Sequence, residues 1–161
     1  MSAPTSILFV CMGNICRSPL AENIFRHMVE ERGLDGRFRI DSAGTGGWHA
    51  GAAPDPRVRM VAGRRGIPVT GSARQVRVED FEAFDHILCA DDDNLEDLLA
   101  MGAPPAKTGL LLEYCRDSPE REVPDPYYGG DDGFETVFKL VEGACDALLA
   151  TFIDGSSASH G

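Results

Sequence analysis

A cysteine and an arginine six positions apart, Cys11 and Arg17, stand where a buried strand gives way to a helix. The uncharged apolar run at residues 7–10 has the β-branched and aromatic composition of a parallel strand. Ser18 is a natural N-cap and Pro19 suits the first helical position, because a missing N–H costs nothing there. The thiol is therefore predicted to lie at the carboxyl end of a strand, in a loop that enters a helix.

The loop at residues 12–16, called the phosphate loop below, has the features of a phosphate-binding site. Its backbone N–H groups are expected to point inward as an anion nest, with the positive end of the helix dipole behind them. Gly13 permits backbone angles closed to other residues, and Asn14 tolerates left-handed geometry. Arg17 offers a planar fork for two phosphate oxygens, and the same field favours the nucleophilic thiolate of Cys11. The alternative, a structural cysteine beside a surface arginine, is less favoured because a strand and a helix flank the pair.

A candidate general acid, Asp125, stands far along the chain between Pro124 and Pro126. The two prolines have fixed backbone angles and hold the carboxyl in a set direction. The surrounding loop, residues 113–130, is longer than a compact domain usually needs, and such loops tend to be functional. A departing phenolate or alkoxide needs a proton, which a carboxyl group here would supply. The alternative is an ordinary turn aspartate.

Three aromatic residues, Trp48, Tyr127 and Tyr128, are candidate walls of a cleft for a planar substrate. Aromatic faces stack on an aryl ring, and a deep slot admits phosphotyrosine where phosphoserine falls short. Packing in the core is the alternative for each of them. The glycine-rich segment 42–47 is predicted to be a loop that folds beside the phosphate loop and presents Trp48 and His49 at its rim.

Apolar strands alternate with helical patterns along the chain, which indicates an α/β protein with a parallel sheet wound on both sides. The strands are predicted at residues 7–10, 37–41, 85–90 and 109–112, and the last helix at roughly 134–152. The acidic run 91–94 is predicted to cap a helix, because it lacks the glycine and the terminal glutamate of a calcium loop. Ligands of such sheets bind at the carboxyl ends of strands near a topological switch point, where Cys11 is expected to lie.

Three segments together resemble the low-molecular-weight protein tyrosine phosphatases. They are CMGNICRSP at 11–19, DSAGTGGWH at 41–49 and DPYYG at 125–129, and the likeness extends from residue 7 to about residue 152. The resemblance implies a single domain with four parallel strands in the order 2-1-3-4. It also implies metal-independent hydrolysis of phosphotyrosine and small aryl phosphate monoesters through a cysteinyl-phosphate. No cofactor is expected.

The resemblance makes Cys11 the nucleophile, Arg17 a ligand of the phosphoryl group and Asp125 the general acid. The phosphate-binding set that it implies is Met12, Gly13, Asn14, Ile15, Cys16, Arg17 and Ser18. Ser18 is expected to donate to the Cys11 sulfur as well as to cap the helix. Cys16 follows Cys11 in the same tight loop, so it is predicted to be a redox partner that captures an oxidised Cys11 as a reversible disulfide. The alternative for Cys16 is a small buried residue.

One departure from the family concerns the support of the phosphate loop. Many eukaryotic members have a histidine just before the Ala-Arg-Gln segment at 73–75, where it braces the loop asparagine. This chain has Gly71 and Ser72 there. The bracing of Asn14 is therefore left open by the sequence, and His49 is not expected to replace the missing histidine.

Two rival reactions occur on the same fold. Arsenate reduction relays oxidation through a further cysteine pair on a mobile segment, but only Cys89 lies in the relevant region. Phosphoarginine phosphatases tend to have threonine where Ile15 stands, and they lack the second aromatic residue of Tyr127 and Tyr128. Both rivals are kept as alternatives. A module that only binds phosphate or senses redox state is disfavoured, because Cys11, Arg17 and Asp125 are all present.

The composition limits the partners of the chain. Its 161 residues include 26 acidic and 15 basic residues, which gives a formal charge of −11. Nucleic acid and anionic membranes both require basic patches, so neither is expected as a partner. The expected partner is a phosphotyrosine-containing protein, with inorganic phosphate as the product. We expect a monomer or a weak dimer.

The five cysteines match neither a zinc site nor a secreted disulfide framework, and no metal site is predicted. The beginning of the chain does not have the pattern of a signal peptide, and no stretch has membrane-spanning length. A reducing cytoplasm is the predicted location. We expect a flexible N-terminus at residues 1–5, one domain at 6–153 and a flexible tail at 154–161.

Overall fold

The computed structural model describes residues 4–115, 118–126 and 130–158, with side chains for 133–153 in the last range. Four strands form its centre: β1 Thr5–Cys11, β2 Phe38–Gly44, β3 His86–Cys89 and β4 Thr108–Leu110. They make one parallel sheet in the order β2-β1-β3-β4. The predicted strand order is confirmed.

Helices cover both faces of this sheet. They are α1 Arg17–Glu31, α2 Pro56–Gly63, α3 Asp80–Ala83, α4 Asp92–Ala100 and α5 Gly130–Ala158, with 3-10 turns at Asp35–Arg37, Pro105–Lys107 and Leu111–Tyr114. One apolar core lies between the sheet and α1, α2 and α5, and a second lies between the sheet and α3 and α4. The doubly wound architecture is therefore confirmed.

The central strand β1 shows why its sequence is apolar without alternation. Ile7 and Phe9 point into the core under α1 and α5, whereas Leu8 and Val10 point into the core under α3 and α4. All four side chains are buried. A strand with a helix layer on each side needs apolar residues at every position.

The carboxyl ends of the strands meet at one edge of the sheet. Cys11 lies opposite Gly44 of β2, and Val10 lies opposite Cys89 of β3. From this edge the chain passes from β1 into α1 on one face and from β3 into α4 on the other. The crevice between these divergent connections is the usual ligand site of an open α/β sheet.

The start of α1 differs from its prediction. The helix begins at Arg17, its N-cap residue is Cys16, and no side chain caps it. The prediction of Ser18 as N-cap is wrong, because the Ser18 hydroxyl contacts Cys11 and Asn14 in the phosphate loop instead. After the helix ends, Gly33 has a left-handed backbone with a φ of 68°, which is typical of the residue that terminates a helix.

The predicted cap of α4 is confirmed, and an aspartate also caps α2. Asp55 accepts a hydrogen bond from the Arg57 backbone N–H at 2.8 Å, one residue before α2 begins. Asp91 accepts from the Asn94 backbone N–H at 2.9 Å, and Asn94 Oδ1 accepts from the Asp91 N–H at 3.3 Å. This reciprocal pair is a capping box, so the acidic run serves the helix rather than calcium.

Two elements depart from their predicted boundaries. β2 continues through residues 42–44, which were expected to be loop, and the rest of segment 42–47 stays outside the strand. α5 spans Gly130–Ala158, so it includes residues 154–158 of the expected tail.

None of the helices in the described part of the chain is long and apolar enough to cross a membrane.

Candidate active site

A cavity of about 190 Å³ opens at the carboxyl end of β1. Its lining combines a strand end, the phosphate loop, the first turn of α1 and two distant loops. The lining residues are Cys11, Met12, Gly13, Ile15, Cys16, Arg17, His49 and Asp125. The structure thus brings together the three residues predicted to be catalytic, which are up to 114 positions apart in the sequence.

The guanidinium of Arg17 is almost sealed from solvent, with 5% of the side chain exposed. Its Nη1 donates to Asp91 Oδ2 at 2.7 Å and to the Val123 carbonyl at 2.9 Å, and its Nη2 lies 4.0 Å from Asp125 Oδ2. Burial opposes the charge, but Cys11 and Asp91 more than offset it and raise the pKa of Arg17. A fixed positive charge therefore lies beside the sulfur.

Asp91 has a second role that sequence reasoning missed. One carboxylate oxygen caps α4 and the other holds Arg17, so the same side chain orients a helix and a guanidinium. The sequence signal was its position just after β3, next to the strand that ends at Cys11. Polar residues at the ends of adjacent parallel strands share one edge of the sheet.

The loop that carries Asp125 is tied to the sheet edge at Val123. The Val123 N–H donates to the Ala90 carbonyl at 2.8 Å, while the Val123 carbonyl accepts from Arg17. Asp125 follows two residues later, half-buried at the cavity. The carboxyl group therefore approaches the cavity from the side of α4.

Asn14 is held firmly although the family histidine is missing. Its backbone is left-handed, with a φ of 57°. Its Nδ2 donates to Ser18 Oγ at 2.8 Å and to Ser42 Oγ at 3.0 Å, and its Oδ1 accepts from the Arg74 backbone N–H at 2.9 Å. The amide thus has one partner in α1, one in β2 and one in the loop before α3, so the bracing that the sequence left open is supplied without histidine.

The family described as low molecular weight phosphotyrosine protein phosphatase matches residues 6–156 of the chain. This chain belongs to that family. Among its relatives, a putative low molecular weight protein-tyrosine-phosphatase of Synechocystis is 47% identical over 148 residues, covering 90% of this chain and 94% of the relative. The human low molecular weight phosphotyrosine protein phosphatase is 44% identical over 153 residues, covering 91% and 95%.

Solved structures agree with this family membership. The crystal structure of YfkJ from Bacillus subtilis has a TM-score of 0.91 and 42% identity, covering 96% of this chain and 98% of that one. The Drosophila arginine phosphatase has a TM-score of 0.84 and 32% identity, covering 91% and 96%. The fold is therefore shared by protein-tyrosine phosphatases and by an arginine phosphatase.

In this phosphatase, His49 lies against the phosphate loop. The predicted placement of its segment is confirmed, because the Thr45 and Gly46 N–H groups donate to the carbonyls of Cys11 and Met12 at 2.9 and 3.0 Å. A Cβ on Gly13 would lie 3.0 Å from His49 Cδ2. The prediction that Gly13 adopts a special backbone angle is wrong: it has no positive φ, and its missing side chain makes room for the imidazole.

Trp48 is not among the residues that line the phosphatase cavity, although its neighbour His49 is. Its side chain is 73% exposed, which excludes the core alternative. The ring covers Gly46, where a Cβ would lie only 1.6 Å from it. Tyr127 and Tyr128 lie outside the described residues. The role of all three as cleft walls stays a prediction.

Cys16 is buried in the cavity lining near Cys11. Burial, followed by the negative charges of Asp55 and Cys11, raises the pKa of the Cys16 thiol to about 12. This thiol is protonated at neutral pH, and the thiolate is the form that attacks an oxidised sulfur. The predicted redox partnership is not tested by this geometry and stays a prediction.

The other cysteines have structural positions. Cys89 and Cys145 are fully buried in the two cores, and burial raises the pKa of both thiols. Cys115 is partly exposed after the last 3-10 turn, and all five cysteines are free thiols. In the described ranges no group of three or more His, Cys, Asp or Glu residues is arranged to hold a metal ion.

Proposed function

We propose that this chain hydrolyses phosphotyrosine and aryl phosphate monoesters in two displacements through a cysteinyl-phosphate on Cys11. The observation that carries the proposal is the convergence of Cys11, Arg17 and Asp125 on one cavity at the end of β1. Membership of the phosphotyrosine phosphatase family supports the same reaction. The proposed partner is a phosphotyrosine-containing protein, and inorganic phosphate is the product.

In the first displacement the Cys11 thiolate attacks phosphorus in line and the bond to the phenolic oxygen breaks. The carboxyl group of Asp125 gives its proton to the departing oxygen. Negative charge spreads over three equatorial phosphoryl oxygens in the transition state, where the loop amides and the Arg17 guanidinium supply fixed donors. The reaction needs no metal, because these donors already neutralise the developing charge.

In the second displacement a water molecule attacks the phosphorus of the cysteinyl-phosphate. The Asp125 carboxylate accepts a proton from that water, and the sulfur departs as a thiolate. Ser18 Oγ lies 3.0 Å from Cys11 Sγ, so its hydroxyl stabilises the thiolate at both ends of the cycle. Phosphate then leaves and the starting state returns.

The shape of the site favours an aryl substrate. Cys11 is buried in the cavity, while the apolar side chain of Met12 in its lining is 44% exposed. Trp48, next in sequence to the lining residue His49, is 73% exposed. A phosphotyrosine ring spans this depth and contacts apolar groups, whereas the short phosphoserine side chain does not reach the sulfur. The five free thiols suit a reducing cytoplasm, which is the proposed location.

Trapping the phosphoenzyme tests this proposal. Asp125→Ala protein, quenched in acid during turnover of p-nitrophenyl phosphate, should carry one phosphoryl group on the peptide that contains Cys11. Cys11→Ser should abolish both the adduct and turnover, while Cys115→Ser, a matched change at a partly exposed thiol, should keep both. Turnover by Cys11→Ser at the normal rate would overturn the proposal.

Asp125→Ala also tests the role of the general acid. A poor leaving group needs the proton and a good one does not, so turnover should fall by about 10²-fold or more on phenyl phosphate and much less on p-nitrophenyl phosphate. Equal losses on the two esters would contradict the acid role.

Phosphoarginine is the second candidate substrate, because the chain shares its fold with the Drosophila arginine phosphatase. Ile15 lines the cavity, so an apolar side chain faces the substrate at that position. We expect kcat/KM on phosphotyrosine peptides to exceed that on phosphoarginine peptides. Arsenate reduction is disfavoured because Cys89 is buried in β3 rather than placed on an exposed segment.

A further inference from the structure

The loop that carries Asp125 is attached to the rest of the fold at three consecutive positions, residues 121–123. The Arg121 guanidinium lies 3.0 Å from a carboxylate oxygen of Asp92. The Glu122 carboxylate accepts a hydrogen bond from the Asp92 backbone N–H at 2.8 Å. Val123 forms the two backbone hydrogen bonds described above. The general acid follows two residues after the last of these attachments.

The backbone N–H of Asp92 is one of the donors that a helix leaves unpaired at its start. Asp92 is the first residue of α4, so no carbonyl within that helix can accept from its N–H. The side chains of the capping box accept elsewhere, since Asp91 accepts from Asn94 and Asn94 accepts from Asp91. Glu122 therefore supplies an acceptor that the helix itself lacks, and its negative charge suits the positive end of the helix dipole.

Arg121 and Glu122 both contact Asp92, but they contact different kinds of group. Arg121 pairs with the carboxylate of Asp92, and the two side chains are 65% and 41% exposed. Such an exposed ion pair is screened by water and fixes little geometry. Glu122 instead bonds a peptide group whose position is set by the helix backbone. Of these two contacts, the one from Glu122 joins the loop to a fixed point.

Val123 by itself does not fix the direction of the chain that leaves it. Its N–H and its carbonyl each form one hydrogen bond, so both contacts belong to a single residue. Two bonds at one residue hold its position and still allow the flanking chain to pivot about it. The bond from Glu122 lies one residue away and on α4, where it opposes that pivot. Pro124, with its fixed φ, then transmits the constraint to Asp125.

We propose that Glu122 is a positioning residue for the general acid, because its carboxylate joins the loop to the start of α4 and so directs Asp125 toward the cavity. This proposal rests on the proposed function, in which Asp125 protonates the leaving group. A proton donor has to lie within hydrogen-bond reach of the departing oxygen, so a small displacement of the carboxyl group slows the transfer. Other residues bind the phosphoryl group, and its binding should not depend on Glu122.

The leaving group of the substrate provides the test. The value of kcat/KM reports the first displacement, in which phenyl phosphate needs a proton on its departing oxygen and p-nitrophenyl phosphate needs it much less. Glu122→Ala should lower kcat/KM on phenyl phosphate by about fivefold, the effect of losing one hydrogen bond, and on p-nitrophenyl phosphate by less than about twofold. Glu122→Gln keeps an acceptor oxygen for the Asp92 N–H, so it should keep most of the normal value.

Asp92→Pro removes the donor of the same hydrogen bond. Proline suits the first position of a helix, and Asp91 before it is already extended, with a φ of −144° and a ψ of 173°. The substitution should therefore leave α4 folded and reproduce the leaving-group pattern of Glu122→Ala. Asp92→Ala, which keeps the N–H, and Arg121→Ala, which removes the exposed ion pair, are the matched controls. Both should have normal values on the two esters.

Two double variants show whether the contact acts through the acid. Glu122→Ala combined with Asp92→Pro should lose no more activity than either change alone, because both remove one hydrogen bond. Glu122→Ala added to Asp125→Ala should cause no further loss on phenyl phosphate. Equal losses on the two esters, additive losses in these pairs, or a normal value on phenyl phosphate in folded Glu122→Ala would overturn the proposal.

Thermal melting establishes that each variant is folded. If Glu122→Ala does not fold, Asp92→Pro decides by the same ratio of the two esters. Trapping of the phosphoenzyme separates this proposal from the proposed function. An adduct on Cys11 together with an unchanged ester ratio in Glu122→Ala would contradict the role of Glu122 alone, whereas the absence of any adduct would contradict the cysteinyl-phosphate itself.

Discussion

At the scale of single residues, the function of the cavity depends on a positive charge that is buried and held in place by its partners. Arg17 is fixed by Asp91 and by the Val123 carbonyl before any substrate binds. A donor that is already in place needs no reorganisation during the reaction, and such donors contribute most of the stabilisation of phosphoryl transition states.

Removing the guanidinium therefore should be costly. Arg17→Ala should lower kcat/KM on phenyl phosphate by the equivalent of about 3 kcal/mol or more, as for loss of an oxyanion donor. Arg121→Ala is a matched control, because Arg121 forms an exposed ion pair with Asp92. Steady-state kinetics measure both variants. Near-normal turnover by Arg17→Ala would contradict the role of Arg17 in stabilising the phosphoryl transition state.

The two roles of Asp91 are separable by one substitution. Asparagine is as good an N-cap as aspartate, so Asp91→Asn should change the free energy of unfolding by less than about 0.5 kcal/mol. It removes the negative charge that holds Arg17, so kcat/KM should fall by about tenfold. Urea unfolding and kinetics on the same sample measure the two effects. Asp92→Asn provides the control, and a loss of stability without a loss of activity would contradict this assignment.

Membership of the cavity was predictable for residues whose side-chain chemistry and local sequence indicate it, as for Cys11 and Arg17. The contacts of a residue were not predictable where its partner lies on a segment distant in sequence. A glycine is needed at position 13 because the imidazole of His49 packs against it. Ser18 does not cap the helix because its hydroxyl is hydrogen-bonded to Asn14 and Cys11 instead. Such contacts depend on the packing of separate segments, which a local pattern does not contain.

At the scale of elements, the periodicity of the sequence predicted the strands and the capped helices because these depend on local residues. The strand order came from the family resemblance, because pairing between β1 and β3 joins residues far apart in sequence. The extension of β2 to Gly44 was missed for the same reason. Gly44 forms a bridge with Gln75 on the outer edge of the sheet, and that partner is distant along the chain.

The close approach of β2 to the phosphate loop gives a prediction at this scale. A Cβ on Gly44 would lie 2.7 Å from the Met12 carbonyl oxygen and 3.2 Å from Asn14 Cβ. Gly44→Ala should therefore displace the loop, lowering both the melting temperature and kcat.

A helical glycine provides the matched control for this change. Gly143 of α5 faces open space, and Gly143→Ala should stabilise the protein by about 0.5–1 kcal/mol without changing kcat. Thermal melting and turnover measure both variants. Equal activity in the two would show that the loop tolerates the shift.

At the scale of the whole molecule, a strongly acidic protein carries a site for an anion. The formal charge is −11, and several surface arginines are paired with carboxylates. Arg57 is bonded to Asp55 at 2.9 Å, and Arg65 to Glu135 at 2.6 Å. The cavity therefore attracts a phosphoryl group at short range, whereas the surrounding surface repels an acidic peptide at long range.

Short-range attraction combined with long-range repulsion predicts that the preference between acidic and basic peptide substrates depends on salt concentration. At about 10 mM ionic strength the Debye length is about 30 Å, so the net charge acts over the whole approach of a peptide. Phosphotyrosine peptides with basic flanking residues should then show a several-fold higher kcat/KM than acidic ones of equal length. At about 0.15 M salt, where the Debye length is about 8 Å, the two values should converge.

The effect should appear in kcat/KM and not in kcat, because the flanking charges influence encounter and not the chemistry at Cys11. Phenyl phosphate, which has no flanking residues, is the control and should show a much weaker dependence on salt. Equal kcat/KM values for acidic and basic peptides at low salt would contradict long-range repulsion. They would indicate instead that local contacts at the cavity mouth determine which phosphotyrosine peptides bind.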